Sequence, residues 1–337
     1  MPEQEKTGQE GAPAPKKKGV FGCSFPLFIG LLVIVLALLI VGLASGPIGK
    51  SLGAKMPGFL SLPQPEPEFP AEVVFHIFGF PITNSIVGTW LTMIVLVGIA
   101  FAATRRMKIV PGKLQTLLEF VLGTFLLSFC QTVAGKKNGR RFFPIVATIF
   151  LFVLFNGWLS LLPGFGSILI EAEEHEVHLL RGANTDINTP LAIAVMSFIF
   201  VEFFGLSVLG IGYLKKFFNV GQMLTSLGQL VRGKIGAGLS GFFMGFINFF
   251  IGIIELLSEL VRIVSFTLRL FGNMTAGEIL LLMAAFLVPF VFADLFYGFE
   301  LLFGFIQALI FAGLTLIFLT VAVTSHEHSE HGEETHK

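Results

Sequence analysis

Seven ionisable side chains interrupt a stretch of chain that is otherwise apolar. Across the 79 residues from Ile247 to Ser325 the only charges are Glu255, Glu259, Arg262, Arg269, Glu278, Asp294 and Glu300. At membrane depth each such group costs roughly 2.5–3.5 kcal/mol on insertion scales. They must therefore face protein, water or one another. Carboxylates in such a setting can take up protons and pass them on, whereas a guanidinium stays charged and acts as a fixed cation.

Spacing sorts these groups. At about 100° per residue, with Glu255 taken as the origin, Glu259 lies at about +40°, Arg262 at about −20°, Arg269 at about −40° and Asn273 back at about zero. Ser258 and Ser265 extend the same stripe, so one face of a helix over about 249–274 is expected to be continuously polar. Glu278 falls at about +140°, on the opposite side, and two polar faces on one helix suggest two aqueous environments. In the last helix Glu300 and Gln307 are seven apart and share a face. Glu255, Glu259 and Arg262 could be structural ion pairs near an interface, where long side chains reach water cheaply. Arg269 differs, because the acids on its own stripe are at least ten residues away. A buried guanidinium cannot neutralise itself, so Arg269 needs a carboxylate from another helix or another chain.

The elements that position these groups are membrane-spanning helices, each needing about 20 apolar residues. Candidate spans are Phe25–Ser45, Ile86–Ala103, Phe142–Leu162 and Pro190–Leu214, the last interrupted by Glu202, with two long helices in 247–325. A break between those two is expected near Val288–Tyr297, where Pro289 and Asp294 cluster. Composition agrees: 54% of residues are hydrophobic and only 13% charged, against about 25% charged in soluble domains. With 22 basic and 22 acidic residues there is no basic excess. A soluble enzyme, a nucleic-acid binder and a disordered chain are thereby excluded. Cys23 and Cys130 build no disulfide framework.

Charge asymmetry gives an orientation. Eight cations lie in 104–141 (Arg105, Arg106, Lys108, Lys113, Lys136, Lys137, Arg140 and Arg141), whereas 163–189 holds Arg181 and five acids. By the positive-inside rule the first segment is cytoplasmic and the second is not, which places both termini in the cytoplasm if the first span is retained. The chain then divides into a basic leader (1–24), an extra N-terminal span or signal-like segment (25–45), a Pro-rich extracytoplasmic connector (46–80), a membrane domain (81–325) and a His/Glu-rich cytoplasmic tail (326–337). Lys113–Ala134 reads as an interfacial helix or as a packed extension of a span, and Gly228–Gly245 as a cytoplasmic loop. Glu202 could be a satisfied interior carboxylate, which is preferred, a lipid-protected packing contact or a lining group of an ion path, and the tail histidines read as solvated rather than metal-bound.

The segment Leu268-Arg269-Leu270-Phe271-Gly272-Asn273-Met274, followed by Ala276-Gly277-Glu278, resembles the signature of subunit a of the F-type ATP synthase. Val110-Pro111-Gly112-Lys113-Leu114-Gln115, Asn156 with Leu161-Leu162-Pro163, Asp186-Ile187-Asn188 and Gln307-Ala308 match in family order, over roughly residues 70–325. The resemblance implies an all-α polytopic fold with five core spans plus the extra N-terminal one, the last two long and steeply tilted against a ring of c subunits. It implies a stator ion channel of the ATP synthase membrane sector in a bacterial plasma (inner) membrane. Its two half-channels would carry protons, or Na+, to and from that ring and so couple the ion gradient to ATP synthesis. Arg269 would match the essential stator cation facing the ring carboxylate. Asn273, Glu278, Glu300 and Gln307 would match the outer half-channel, and Glu255, with Glu259, the inner one. The implied partners are the c ring, the b-subunit peripheral stalk, the remaining synthase subunits and the bilayer, with no cofactor, no metal and no nucleic acid. Such a subunit is not an enzyme by itself, and no GxxxxGK[ST] is present. The chain departs from the family in its first 70 residues, in having acids at both 278 and 300, and in Glu202. An independent secondary transporter or a structural scaffold would be the alternatives; neither accounts for the ordered motifs.

Overall fold

The computed structural model describes residues 25–53, 71–105, 107–162, 164–172, 175–210, 212–213, 217, 225–228 and 235–324. The basic leader, the Pro-rich stretch 61–70, Arg106, Pro163, Lys215, Lys216, Arg232, Lys234 and the His/Glu tail lie outside them. The chain is an all-α polytopic membrane protein. It forms two compact units, one comprising 1–65 with 281–296 and the other 66–280 with 297–337.

In the first unit, α1 (Phe25–Ser45) is apolar on every side, as expected of a lipid-facing span, and leads through Gly46 into the short α2 (Pro47–Ser51). Gly42 and Gly46 let α1 approach the turn between the last two helices. A Cβ at Gly42 would lie 2.5 Å from the Pro289 carbonyl oxygen, and one at Gly46 2.2 Å from that of Leu287. That turn falls where Pro289 predicts it. α7 (Ile235–Leu287) stops before the proline and α8 (Val291–Thr324) starts just after it. Phe290 reverses the chain at φ +70°, an unusual conformation for a bulky residue.

The second unit begins with a hairpin, β1 (Val73–Ile77) and β2 (Phe80–Thr83), closed by Phe78 and Gly79, both at positive φ, as a two-residue turn between twisted strands requires. α3 (Asn84–Thr104) follows directly. α4 (Lys113–Leu118) passes through a π-helical stretch (Glu119–Leu126) into α5 (Leu127–Ser160). Within α5 the chain reverses at Gly135 (φ 75°, ψ 164°), a conformation open to glycine but not to L residues with a Cβ. Leu126, Cys130 and Ala134 thereby join Phe142, Val146 and Phe150 in the core, so the Lys113–Ala134 helix is the packed alternative at its C-terminal end. A second hairpin, β3 (Leu169–Ala172) with β4 (His175–His178), and a 3-10 turn (Ala183–Thr185) fill the connection to α6 (Asn188–Leu209). Neither hairpin was expected from the sequence.

One expectation is corrected. The glycine-rich stretch does not remain a loop as far as Gly245, because α7 is already helical from Ile235. Glycine costs about 1 kcal/mol in a helix, but packing offsets it. A Cβ at Gly241 would lie 2.5 Å from the Ser226 hydroxyl, so the small residue is what lets the neighbouring segment close in.

The core joins α5, α6, α7 and α8 through Phe150, Val153, Ala194, Val201, Phe266, Leu270, Phe311, Leu316 and Leu319. Among the described residues, five helices are long and apolar enough to cross a membrane: α1, α3, the Lys113–Ser160 helix, α6 and α8. α7, at 53 residues, is longer still but carries five of the charged residues.

Candidate functional site

Three sets of polar groups occupy α7, and the packing of that helix separates them. Its buried residues Gly252, Glu259, Phe266, Leu270, Met274 and Gly277 define an inward seam. Arg269 flanks that seam on one side and Glu278 on the other, at about 90° each way by helical geometry. The sequence-based expectation of one continuous polar face is therefore revised. Glu259 and Arg262 turn inward, whereas Ser258, Ser265 and Arg269 are exposed.

The first set surrounds Glu278. Thr185 hydrogen-bonds its carboxyl, and Arg181 and His178 lie within electrostatic reach. Arg181 donates from Nε to the Thr185 hydroxyl oxygen at 3.2 Å, which fixes the guanidinium beside the acid. Behind them, buried Asn156 donates from Nδ2 to Oδ1 of buried Asn184 at 3.3 Å. The 3-10 turn is held in place by the start of α6. Asp186 accepts from the Ser85 hydroxyl at 2.8 Å and from the backbone N–H and side-chain amide of Asn188 at 3.2 and 3.0 Å.

Glu300 comes to this region from α8. It is buried, and its carboxylate fills the space that a side chain at residue 277 would need. A Cβ on Gly277 would lie 2.1 Å from Oε1 and 2.3 Å from Oε2. Glu300 thus meets α7 at the position next to Glu278. The α5–α8 seam beside them is fastened by the Trp158 indole N–H donating to the Leu301 carbonyl at 3.0 Å and by the Tyr297 hydroxyl donating to the Leu161 carbonyl. Two turns further along α8, Gln307 is buried, and its Nε2 has no hydrogen-bond partner among the described residues. Its amide hydrogens are therefore free to donate to water.

A second set lies nearer the α8 C-terminus. Arg262 donates from Nη1 to Oε2 of Glu259, whose side chain is 2% exposed, and stacks 3.6 Å over the centre of the Phe318 ring. Tyr213 lies close to this pair and donates its hydroxyl proton to Glu202 at 3.3 Å. Its ring rests on Gly205, which lies one turn from Glu202 on the same face of α6. Of the readings open for Glu202, this hydrogen bond favours the satisfied interior carboxylate. Glu255 is half-buried one turn before Glu259.

The third set is Arg269 itself, which is exposed. Its nearest aromatic neighbour is Phe266, at 5.9 Å, and among the described residues it forms no ion pair or hydrogen bond. Small exposed residues surround it: Ser265, Gly272 and Ala276. Asn273, one turn on, is half-buried.

The structure therefore puts Glu300 against Gly277, the residue before Glu278, with Gln307 further along the same face of α8. It keeps Glu259 with Arg262 and sets Arg269 apart from both. Sequence reasoning missed His178, Asn184 and Thr185 as neighbours of the acids. The nearest signal was that Arg181 is the only cation in 163–189.

Comparison with known proteins gives a consistent result. The family model described as ATP synthase A chain matches residues 86–320. The ATP synthase subunit a of Gloeobacter violaceus is 33% identical over 248 residues, covering 72% of this chain and 85% of that protein. That of Moorella thermoacetica is 31% identical over 254 residues (75% and 96%). The ATP synthase subunit a 3 of Pelobacter propionicus is 34% identical over 231 residues (68% and 83%).

Proposed function

Since this chain belongs to the ATP synthase A chain family, which forms the ion-translocating stator part of the membrane sector, we propose that it serves a rotating ring of c subunits through two half-channels. It is a non-catalytic subunit of the synthase complex. The ions carried are protons or Na+, and the membrane is the bacterial plasma membrane, with both termini in the cytoplasm. The b-subunit peripheral stalk holds it still against the ring.

Arg269 carries this reading. It is exposed and has no carboxylate partner among the described residues, yet it sits in the middle of an apolar helix. Ser265, Gly272 and Ala276 leave room for another helix to approach closely, as small residues do in membrane interfaces. The missing anion is then the mid-membrane carboxylate of a c subunit. In a low-dielectric setting the guanidinium draws the deprotonated carboxylate towards it, and its fixed charge stops ions from crossing directly between the half-channels.

Glu278, Glu300, Gln307 and Asn273 form the outer half-channel, with Asn156, Arg181, Asn184 and Thr185 around its mouth. Glu278 lies nine residues from Arg269, about 13 Å along the helix axis. This distance, and the position on the opposite flank, let an ion reach the ring without meeting the cation head-on. Glu255 and Glu259 belong to the inner half-channel. Both carboxylates of the outer path can hold and release a proton, and the carboxamides of Asn273 and Gln307 order water between them.

The test is ATP-driven acidification of inverted vesicles carrying wild type or Arg269→Ala, with and without added Na+. Loss of pumping in an assembled Arg269→Ala complex supports the stator role, and normal pumping overturns it. Dependence on Na+ identifies the ion.

A further inference from the structure

Away from the proposed ion path, α3, α4 with its π-helical continuation, and α5 line a half-open cavity of about 380 Å³. Twelve of its fifteen lining residues are apolar, among them Ile99, Leu118, Leu122, Leu151 and Phe155. The three polar ones, Thr104, Gln115 and Glu119, come from the end of α3 and the start of the next helix. From this geometry we infer a binding site for one anionic phospholipid, with an acyl chain in the cavity and the phosphate among Arg105, Lys108 and Lys113.

The dimensions select the occupant. Along α3 the lining runs from Leu96 to Thr104, and along α5 from Phe143 to Phe155, which is roughly 12–18 Å at 1.5 Å per residue. A volume of 380 Å³ over such a length is a slot roughly 5 Å across. That width fits a single hydrocarbon chain. Lining atoms facing an unfilled slot would lose their dispersion contacts on that side.

The polar end specifies the headgroup. The Gln115 side chain is tied to the Lys108 backbone by two hydrogen bonds of 3.2 Å, which brings Lys108 to the mouth. Arg105 follows directly on the lining residue Thr104, its guanidinium 5.7 Å over the Phe101 ring, and Lys113 lies two residues before Gln115. Gln115 also donates to Glu119 at 2.7 Å, which occupies that carboxylate. Three cations against one acid leave the mouth positive. Met107, Ile109 and Val110 are 67%, 103% and 81% exposed between those cations. Apolar and basic residues alternating on an exposed loop suit the headgroup region of a bilayer, where each cation near an anionic surface strengthens attachment about fivefold.

The experiment uses the whole synthase complex in phosphatidylcholine vesicles doped with a phosphatidylglycerol that carries a photoreactive diazirine midway along one chain. After illumination the labelled peptides are mapped by mass spectrometry. Labelling is expected in 96–104, 118–127 and 143–155, and a phosphatidylcholine probe should label these peptides at least tenfold less. Lys108→Gln with Lys113→Gln should weaken phosphatidylglycerol labelling about 25-fold. Leu122→Trp should abolish it while leaving the subunit composition unchanged. Equal labelling by both lipids, or indifference to the lysine changes, overturns the headgroup assignment. Absence of label from these peptides, or loss of a subunit in Leu122→Trp, overturns the lipid occupant.

Discussion

Gly277→Ala tests the proposed outer half-channel where Glu300 meets α7. The added methyl carbon would stand 2.1 Å from a Glu300 carboxylate oxygen, about 1.3 Å short of ordinary contact. The atoms displaced belong to the end of a flexible side chain, so Glu300 can rotate away and the backbone need not move. Replacing an interior helical glycine by alanine also favours the helix by up to about 1 kcal/mol. Assembly and thermal stability should therefore be close to wild type. Transport should not, because the acid has been moved by more than 1 Å, and misplacement on that scale can cost about a hundredfold in a positioned reaction. We expect ATP-driven pumping to fall between tenfold and a hundredfold in a complex with normal subunit composition. Glu300→Asp in the same chain withdraws the carboxylate by one methylene, about the distance required, and should restore part of the rate. Wild-type pumping by Gly277→Ala would show that the position of Glu300 does not matter to translocation. Failure to assemble would show that the collision reaches the backbone.

Arg269→Lys keeps the charge but loses the planar fork, so the complex should assemble and pump at a small fraction of the wild-type rate; this is read in the same vesicle assay. Arg262→Leu leaves the Glu259 carboxylate buried without its cation and should destabilise the membrane sector by about 3–5 kcal/mol, whereas Arg262→Leu with Glu259→Gln should be much milder. Thermal dissociation of the purified complex distinguishes them, and equal losses would deny the pair. Asp186→Ala removes three hydrogen bonds at the start of α6 and should cost about 1–3 kcal/mol, with proteolysis of the 163–189 connection accelerating as it loosens.

What could be read in the sequence was what neighbouring residues determine. The apolar runs gave the spans, Pro289 gave the turn between α7 and α8, and 100° periodicity put Arg269 and Glu278 on different sides of one helix. What could not be read depends on residues distant in the chain. His178, Arg181 and Thr185 reach Glu278 from about a hundred positions away, on a hairpin and a 3-10 turn too short for any periodic pattern. The polar stripe also divided where periodicity implied continuity, because burial depends on which neighbour covers each turn. Phe318 covers Arg262, with Tyr213 in electrostatic reach, whereas Arg269 is left exposed. The helical start at Ile235 had been hidden by glycines whose role is close packing and not chain reversal.

The two arginines of α7 are seven residues apart, about 10 Å along the axis, and their different surroundings define what the helix does. Arg262 has an acid and an aromatic ring and is electrostatically complete within the subunit. Arg269 is not, and an uncompensated cation at that depth is a standing cost to the isolated chain. Attraction between Arg269 and the proposed ring carboxylate would relieve that cost only while the carboxylate is ionised; a protonated one would give little in return. On the function proposed above, the same residue favours assembly with the ring and favours the ionised ring site directly in front of it. If both effects come from one charge, they should fail together. Replacing Arg269 by an uncharged residue should make the ring easier to separate from this subunit in detergent, and should also let protonated ring sites pass freely in either direction. A variant that loosened the ring yet kept tight coupling would separate the two effects and refute their common origin.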